Sequence, residues 1–267
     1  MKWLFCALIG ALGAGCSAPA QEQATPLQDI YDQYRAVFPE ACFYKPAEST
    51  STNGLAFTLA PMFLEARATN AKPSSQALQR TVYYGADTAR RGDQLHARFT
   101  YVWRFAPESS GRMPEIGGFQ GVRLTLNSRG EPVIWEVLRD RSGAELVFVA
   151  QSLENAAREQ HGAPLPGRRH AIERGTNQAP KVIVARVIED GPVPMGPMLY
   201  LDAATHSVIT LICRCMPPQV KNLVDTEVYA LTSAGADAVA EFGAVMEIGD
   251  PAGSSRIERV LRLPKNF

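Results

Sequence analysis

Residues 122–150 read VRLTLNSRGEPVIWEVLRDRSGAELVFVA, and this stretch decides the fold class. Val122, Leu124 and Leu126 alternate with polar residues, which is the period of a half-buried strand. Asn127, Ser128, Arg129 and Gly130 then supply a turn, a second apolar strand covers 133–138, and Asp140 to Gly143 supply another turn before a third strand at 145–150. Links so short, polar and glycine-bearing join antiparallel neighbours.

Upstream of this stretch the pattern predicts strands over 82–84 and 95–105. In the longer one His96, Arg98, Thr100, Val102 and Arg104 share one face, while Leu95, Ala97, Phe99, Tyr101, Trp103 and Phe105 share the other, the pattern of a half-buried strand. Downstream, Ser152 is positioned to cap a helix that Gly162 stops. Strands follow over 182–188, 198–201, 208–215, 224–231 and 257–263, with a hairpin turn at 202–206 and a short helix at 235–242. Near the start, Thr25, Pro26 and Gln28 have helix-opening spacing, Leu27, Ile30, Tyr31, Tyr34 and Val37 form an apolar stripe, and Pro39 ends it. Residues 45–80 lack pattern apart from an apolar island at 55–64 and read as a surface excursion with one short strand or helix. The expected class is α+β: mostly antiparallel sheet with three short packing helices, and two similar halves meeting near 162–178.

Composition narrows the function classes. The chain has 267 residues, 27 Lys+Arg against 27 Asp+Glu, and 46% hydrophobic residues. This suits a packed domain and lacks the positive field that nucleic-acid binding needs, so no nucleic-acid partner is expected. No apolar run reaches the roughly 18–20 residues of a membrane-spanning helix. The chain also lacks a Gly-x-Ser-x-Gly elbow, a His-Glu-x-x-His helix, a phosphate-binding glycine loop and a dinucleotide turn.

The first residues form an address. Lys2 precedes an apolar stretch over 3–12 and then small residues up to Cys16, a signal-peptide layout. Leu12-Gly13-Ala14-Gly15-Cys16 resembles a bacterial lipoprotein signal, in which the chain is cut before a cysteine that carries the lipid. It departs from the commonest pattern in having Gly13 three places before the cysteine. The resemblance implies a leader at 1–15, lipidation at Cys16, a tether at 16–24 and outer-membrane anchoring favoured by Ser17; the remainder, 25–267, reads from its length and pattern as a single domain. Ordinary secretion with cleavage after Ala18-Pro19-Ala20 is the rival, and would leave the protein periplasmic or secreted.

Three cysteines remain beyond Cys16: Cys42, Cys213 and Cys215. On a strand Cys213 and Cys215 would share a face with Cβ atoms roughly 7 Å apart, too far for an easy mutual disulfide. That makes Cys42 the expected disulfide partner of one of them. Alternatively Cys213, Cys215 and Met216, with Met195 or Met198, offer soft ligands for copper, or thiolates for zinc. Arg168, Arg169 and His170, with Arg174 close by, could hold a phosphate or carboxylate, though a solvated loop has the same composition. Glu189-Asp190 reads as part of a turn. Trp103, Trp135, Tyr83, Tyr84, Tyr101 and Phe105 could line a groove but fit a core better. No catalytic residue is assigned and no cofactor is required. The reading is a non-catalytic envelope module that binds a protein, glycan or small molecule or serves a structural role. The alternatives are a soft-metal or thiol-redox protein, and a hydrolase with His96, His170 or His206 as general base.

Overall fold

The structure, a computed structural model, describes residues 41–48, 54–66, 78–91, 93–105, 119–139, 143–174, 183–201, 208–217, 226–235, 242, 257–258, 261–265 and 267. The leader, the tether, the helix expected at 27–37, the turn at 202–206 and nearly all of the helix at 235–242 lie outside the described residues.

The meander at 122–150 forms as its pattern requires. It comprises β5 (Phe119–Leu126), β6 (Pro132–Arg139) and β7 (Gly143–Ala150), each antiparallel to the next. Asn127 builds the first turn: its Oδ1 accepts from the Arg129 and Glu131 amides, and Gly130 takes a φ of 78° that suits glycine. Before the meander come β3 (Leu78–Arg91) and β4 (Gln94–Phe105), another antiparallel pair. The short strands are β1 (Ala41–Pro46), β2 (Met62–Ala66), β8 (Ile183–Ile188), β9 (Gly196–Leu201), β10 (Val208–Cys215) and β11 (Thr226–Ser233). The two helices are α1 (Gly54–Thr58) and α2 (Gln151–His161).

All eleven strands join one sheet, in the order β10-β9-β2-β1-β11-β3-β4-β5-β6-β7-β8. It is a mixed sheet: six of its ten strand pairings are antiparallel, but β11 runs parallel to both β1 and β3, β2 to β9, and β7 to β8. The chain is therefore sheet-rich, with two small helices among the described residues, in place of the expected α+β arrangement. The sheet coils until it is nearly a barrel. Its terminal strands β8 and β10 meet through a side chain, with the Arg186 guanidinium donating to the Leu211 and Ile212 carbonyls, the latter at 2.8 Å. Arg214 of β10 likewise reaches the Glu189 carbonyl just past β8. Across the interior, Gln120 Oε1 accepts from the Val208 amide at 3.1 Å.

Three sequence expectations about single elements change. The island at 55–64 is core, not surface excursion. Ala56, Leu59, Ala60, Met62 and Phe63 are fully buried, and Tyr101 Oη donates to the Ala56 carbonyl at 2.8 Å. Gly196 is required beside this segment, because a Cβ there would come within 2.4 Å of the Ala60 carbonyl oxygen. Second, β4 is buried on both faces over 98–103, whereas Gln94, Leu95 and Ala97 at its start are exposed, Leu95 among them although the alternation put it on the inner face. Phe99, Tyr101 and Trp103 fill the interior, while His96, Arg98, Thr100 and Val102 on the outer face are also covered. Trp103, Trp135 and Tyr101 are fully buried and belong to the core, while Tyr83 and Tyr84 are half-buried. The closing strand expected at 257–263 is instead a helical turn at 257–258 and a single bridge between Leu261 and Glu173.

Arg186→Met should cost about 1–3 kcal/mol, because hydrogen bonds to a charged donor at the seam are lost and two carbonyls go unpaired. Thermal unfolding should show a drop on the order of 5 °C. Ile209→Thr, at an exposed position of the same edge strand, should stay within about 0.5 kcal/mol. Equal effects would show that the guanidinium does not hold the seam.

Candidate functional site

The outer face of β3–β6 carries charge that alternation places there. Asp87 and Arg98 sit opposite one another on β3 and β4 and form a two-pronged ion pair at 2.8 and 2.6 Å. Arg123 of β5 lies 3.9 Å from Glu136 of β6, and its Nε donates to Thr100 at 3.3 Å. Beside them His96 is 3% exposed and stacks on Phe267, with centroids 4.2 Å apart. A carbonyl only accepts, so the 3.1 Å contact between His96 Nδ1 and the Leu126 oxygen places the proton on Nδ1. Nε2 then carries a lone pair, and it is buried without a hydrogen-bond partner. Burial lowers the His96 pKa, and the Arg91 charge adds to that, while the Leu126 hydrogen bond opposes it.

The carboxy-terminal segment covers this layer. Ile257, Leu263 and Phe267 close over a space of about 20 Å³ that His96, Arg98 and Glu136 also line. Next to it, sharing Arg91, Glu258 and Leu263, opens a cavity of about 430 Å³. Its polar walls are Arg91, His161, Arg174, Glu258 and Arg262. Arg91 ends β3; its guanidinium donates to the Leu263 carbonyl at 2.5 Å and to the Pro264 carbonyl, and lies 3.3 Å from Glu258. Burial lowers its pKa, with Glu258 opposing. Arg262 donates to the Glu173 carbonyl at 3.1 Å and to the Ala171 carbonyl.

The remaining wall is α2 and the loop after it. Asp190 caps the helix from a distance, its carboxylate accepting the Ser152 amide and hydroxyl, each at 2.7 Å. So the cap expected from Ser152 comes from Asp190, which sequence reading had assigned to a turn. At the other end Gly162, with a φ of 78°, stops α2 and leaves His161 on the cavity wall. His161 Nε2 is shielded from solvent and has no hydrogen-bond partner. Two carboxylates fix the following loop: Glu154 accepts the Ala171 and Ile172 amides, and Glu173 accepts those of Arg169 and His170. Arg174 follows, exposed, and no hydrogen bond holds its side chain among the described residues.

The basic loop thus contributes differently from expectation. Arg169 is exposed, Arg168 and His170 are half-buried, and the cavity lining takes Arg174 instead. Sequence reading missed Arg91, Glu258 and Arg262 as a group, since they are brought together only by tertiary folding. His206 lies outside the described residues, and neither ring nitrogen of His96 meets a side-chain nucleophile.

The sulfur residues separate into two places. Cys42 faces the interior core, whereas Cys213 and Cys215 pack with Phe43, Met62 and Met198 in a different cluster. Strands β9 and β2 lie between β10 and β1, a lateral offset of roughly 14 Å at normal strand spacing. The expected disulfide from Cys42 to either residue is therefore overturned, and none of the three cysteines is in a disulfide. Cys213 and Cys215 approach instead: their sulfurs are 3.1 Å apart, and Met198 Sδ lies 4.0 Å from Cys213 Sγ. The hydrogen bond to Cys213, then burial, push the Cys215 thiol up. Met195 rests its methyl against Gly191, and Met216 is half-buried just past the strand end.

No known family model, curated protein or solved structure matches this chain.

The proton balance at His96 gives a pH test. Unfolded histidine binds a proton near pH 6.5, while the folded value is lower, so the unfolded state takes up more protons as pH falls. The His96 share of stability is complete above about pH 6.5 and is lost as pH falls through the folded value. Urea midpoints between about pH 7.5 and about pH 5 should fall more steeply for the original chain than for His96→Gln. Parallel curves would show that His96 is protonated without cost.

Proposed function

We propose that this protein is an envelope-anchored binding module whose cavity between β3, α2 and the carboxy-terminal segment takes a small anionic ligand, a carboxylate or phosphate ester. One observation carries the reading: a cavity of about 430 Å³ presents three guanidiniums against a single carboxylate. That volume is in the range of small-molecule sites. Guanidinium groups match carboxylate and phosphate oxygens in pairs. Arg91 and Arg262 are already fixed by backbone carbonyls yet keep further N–H donors, so they meet a ligand with little ordering left to do. His161 Nε2 adds a group that gains a partner when a ligand enters.

The envelope part of the reading rests on the leader. In it, Cys16 carries the lipid and 16–24 is the tether. Intact mass of the protein isolated from its own membranes decides between the two processing routes. A chain starting at Cys16 with added acyl groups supports the anchor, and a chain starting at Gln21 replaces it with secretion.

Calorimetric titration with inorganic phosphate and with succinate tests the cavity. Saturable binding of one of them is expected, weakened roughly tenfold or more in Arg174→Ala, which removes about 1.4 kcal/mol or more of binding energy. Because Arg174 is exposed, that variant should unfold within about 0.5 kcal/mol of the original. Binding that ignores Arg174, or no saturable binding by any small anion, would remove this reading.

A further inference from the structure

The end of β10 holds a second arrangement, unrelated to the cavity. Between Leu211 and Cys213 the register against β9 shifts by one residue, so that Cys213 pairs with Met198 and Cys215 with Gly196. This bulge sets Cys213 directly across from the thioether, and Cys215 across from Gly196, where the backbone of Leu59 and Ala60 takes the place of a side chain. Three sulfurs gather as a result, with Cys213 Sγ 3.1 Å from Cys215 Sγ and 4.0 Å from Met198 Sδ. Two sulfurs that bind one ion at about 2.3 Å each lie at most about 4.6 Å apart. Both separations satisfy that limit.

The surroundings select the kind of ion. Phe43 and Met62 are fully buried beside the sulfurs and supply no oxygen or nitrogen ligand. Among the described residues no cluster of three His, Cys, Asp or Glu side chains exists, so a closed tetrahedral zinc site of those ligands is not built here. A thioether beside two thiols suits a soft, low-coordinate ion. Cys213 and Cys215 are partly exposed, which leaves a way in from solvent. At 3.1 Å the two sulfurs stand farther apart than the roughly 2.05 Å of a disulfide bond, and no disulfide joins them.

We propose that Cys213, Cys215 and Met198 form a binding site for copper(I). The two thiols become thiolates as the ion binds, their two protons pass to solvent, and no electron is transferred. Met195 and Met216, the other soft candidates in this part of the sequence, are not needed.

The test titrates the full-length protein with copper(I) held by a chromophoric chelator, under reductant and without air. The original chain should take one more equivalent of copper than Cys213→Ser/Cys215→Ser, which subtracts any uptake by Cys6 and Cys16. Cys42→Ser should bind as the original does, and Met198→Leu should bind roughly tenfold more weakly through loss of the thioether. On the unaltered chain, copper should protect Cys213 and Cys215 from alkylation, read by peptide mass, so the result does not hinge on how a variant folds. Equal copper uptake by the double serine variant would overturn the proposal. So would loss of the extra equivalent in Cys42→Ser, unprotected alkylation of Cys213 and Cys215, or displacement of the ion by equimolar zinc.

Discussion

The fold depends on closing an eleven-stranded sheet whose two edges would otherwise be open. Strongly twisted sheets of this width curl, and their edge strands expose unpaired amides and carbonyls. Here the edges meet through guanidiniums. Arg186 serves the Leu211 and Ile212 carbonyls, and Arg214 serves the Glu189 carbonyl while lying 5.8 Å from the Trp135 ring centre. A side-chain seam tolerates what a backbone ladder would not. The bulge in β10 that carries Cys213 across from Met198 sits on this edge, where no further strand needs to match its register.

Closure also explains the polar outer layer. The interior is taken by large apolar side chains, Phe63, Tyr101, Trp103, Trp135 and Phe148 among them. The alternate positions of β3 to β6 therefore face outward, and there Asp87, Arg98, Arg123 and Glu136 neutralise one another across neighbouring strands. Only because those charges are paired can Ile257, Leu263 and Phe267 lie over them without leaving a bare buried charge. The cavity begins where this cover ends, and Arg91 belongs to both regions.

The parts legible in the sequence were those fixed by near neighbours. The three-stranded meander was readable because each strand pairs with the next across a turn whose chemistry is local, as at Asn127 and Gly130. The strand β1 was not, since its partners are β2 and the distant β11, and no pattern of six residues reveals a parallel pairing across the chain. Burial of the His96 and Arg98 face was hidden for the same reason, as its cover comes from residues more than 150 positions later. At the sulfur cluster the residue types were legible, but the pairing was misread. Strand spacing alone says that alternate cysteines stand apart, whereas the folded chain brings their sulfurs to 3.1 Å.

A shared economy of arginine links the architecture to the cavity. Arg91 and Arg262 each tie the carboxy-terminal segment to the rest of the fold through backbone carbonyls, so the same guanidiniums that hold the cover in place also line the space beside it. Their positions are set by folding, and a ligand need not organise them. Arg174 stands outside that scheme: it follows a loop pinned by Glu154 and Glu173 but is itself not engaged in holding anything among the described residues. Glu258 lies against Arg91, so the cavity wall keeps a net positive charge that an anion would offset, and Arg174 is the guanidinium of that wall with no structural task among the described residues to explain it.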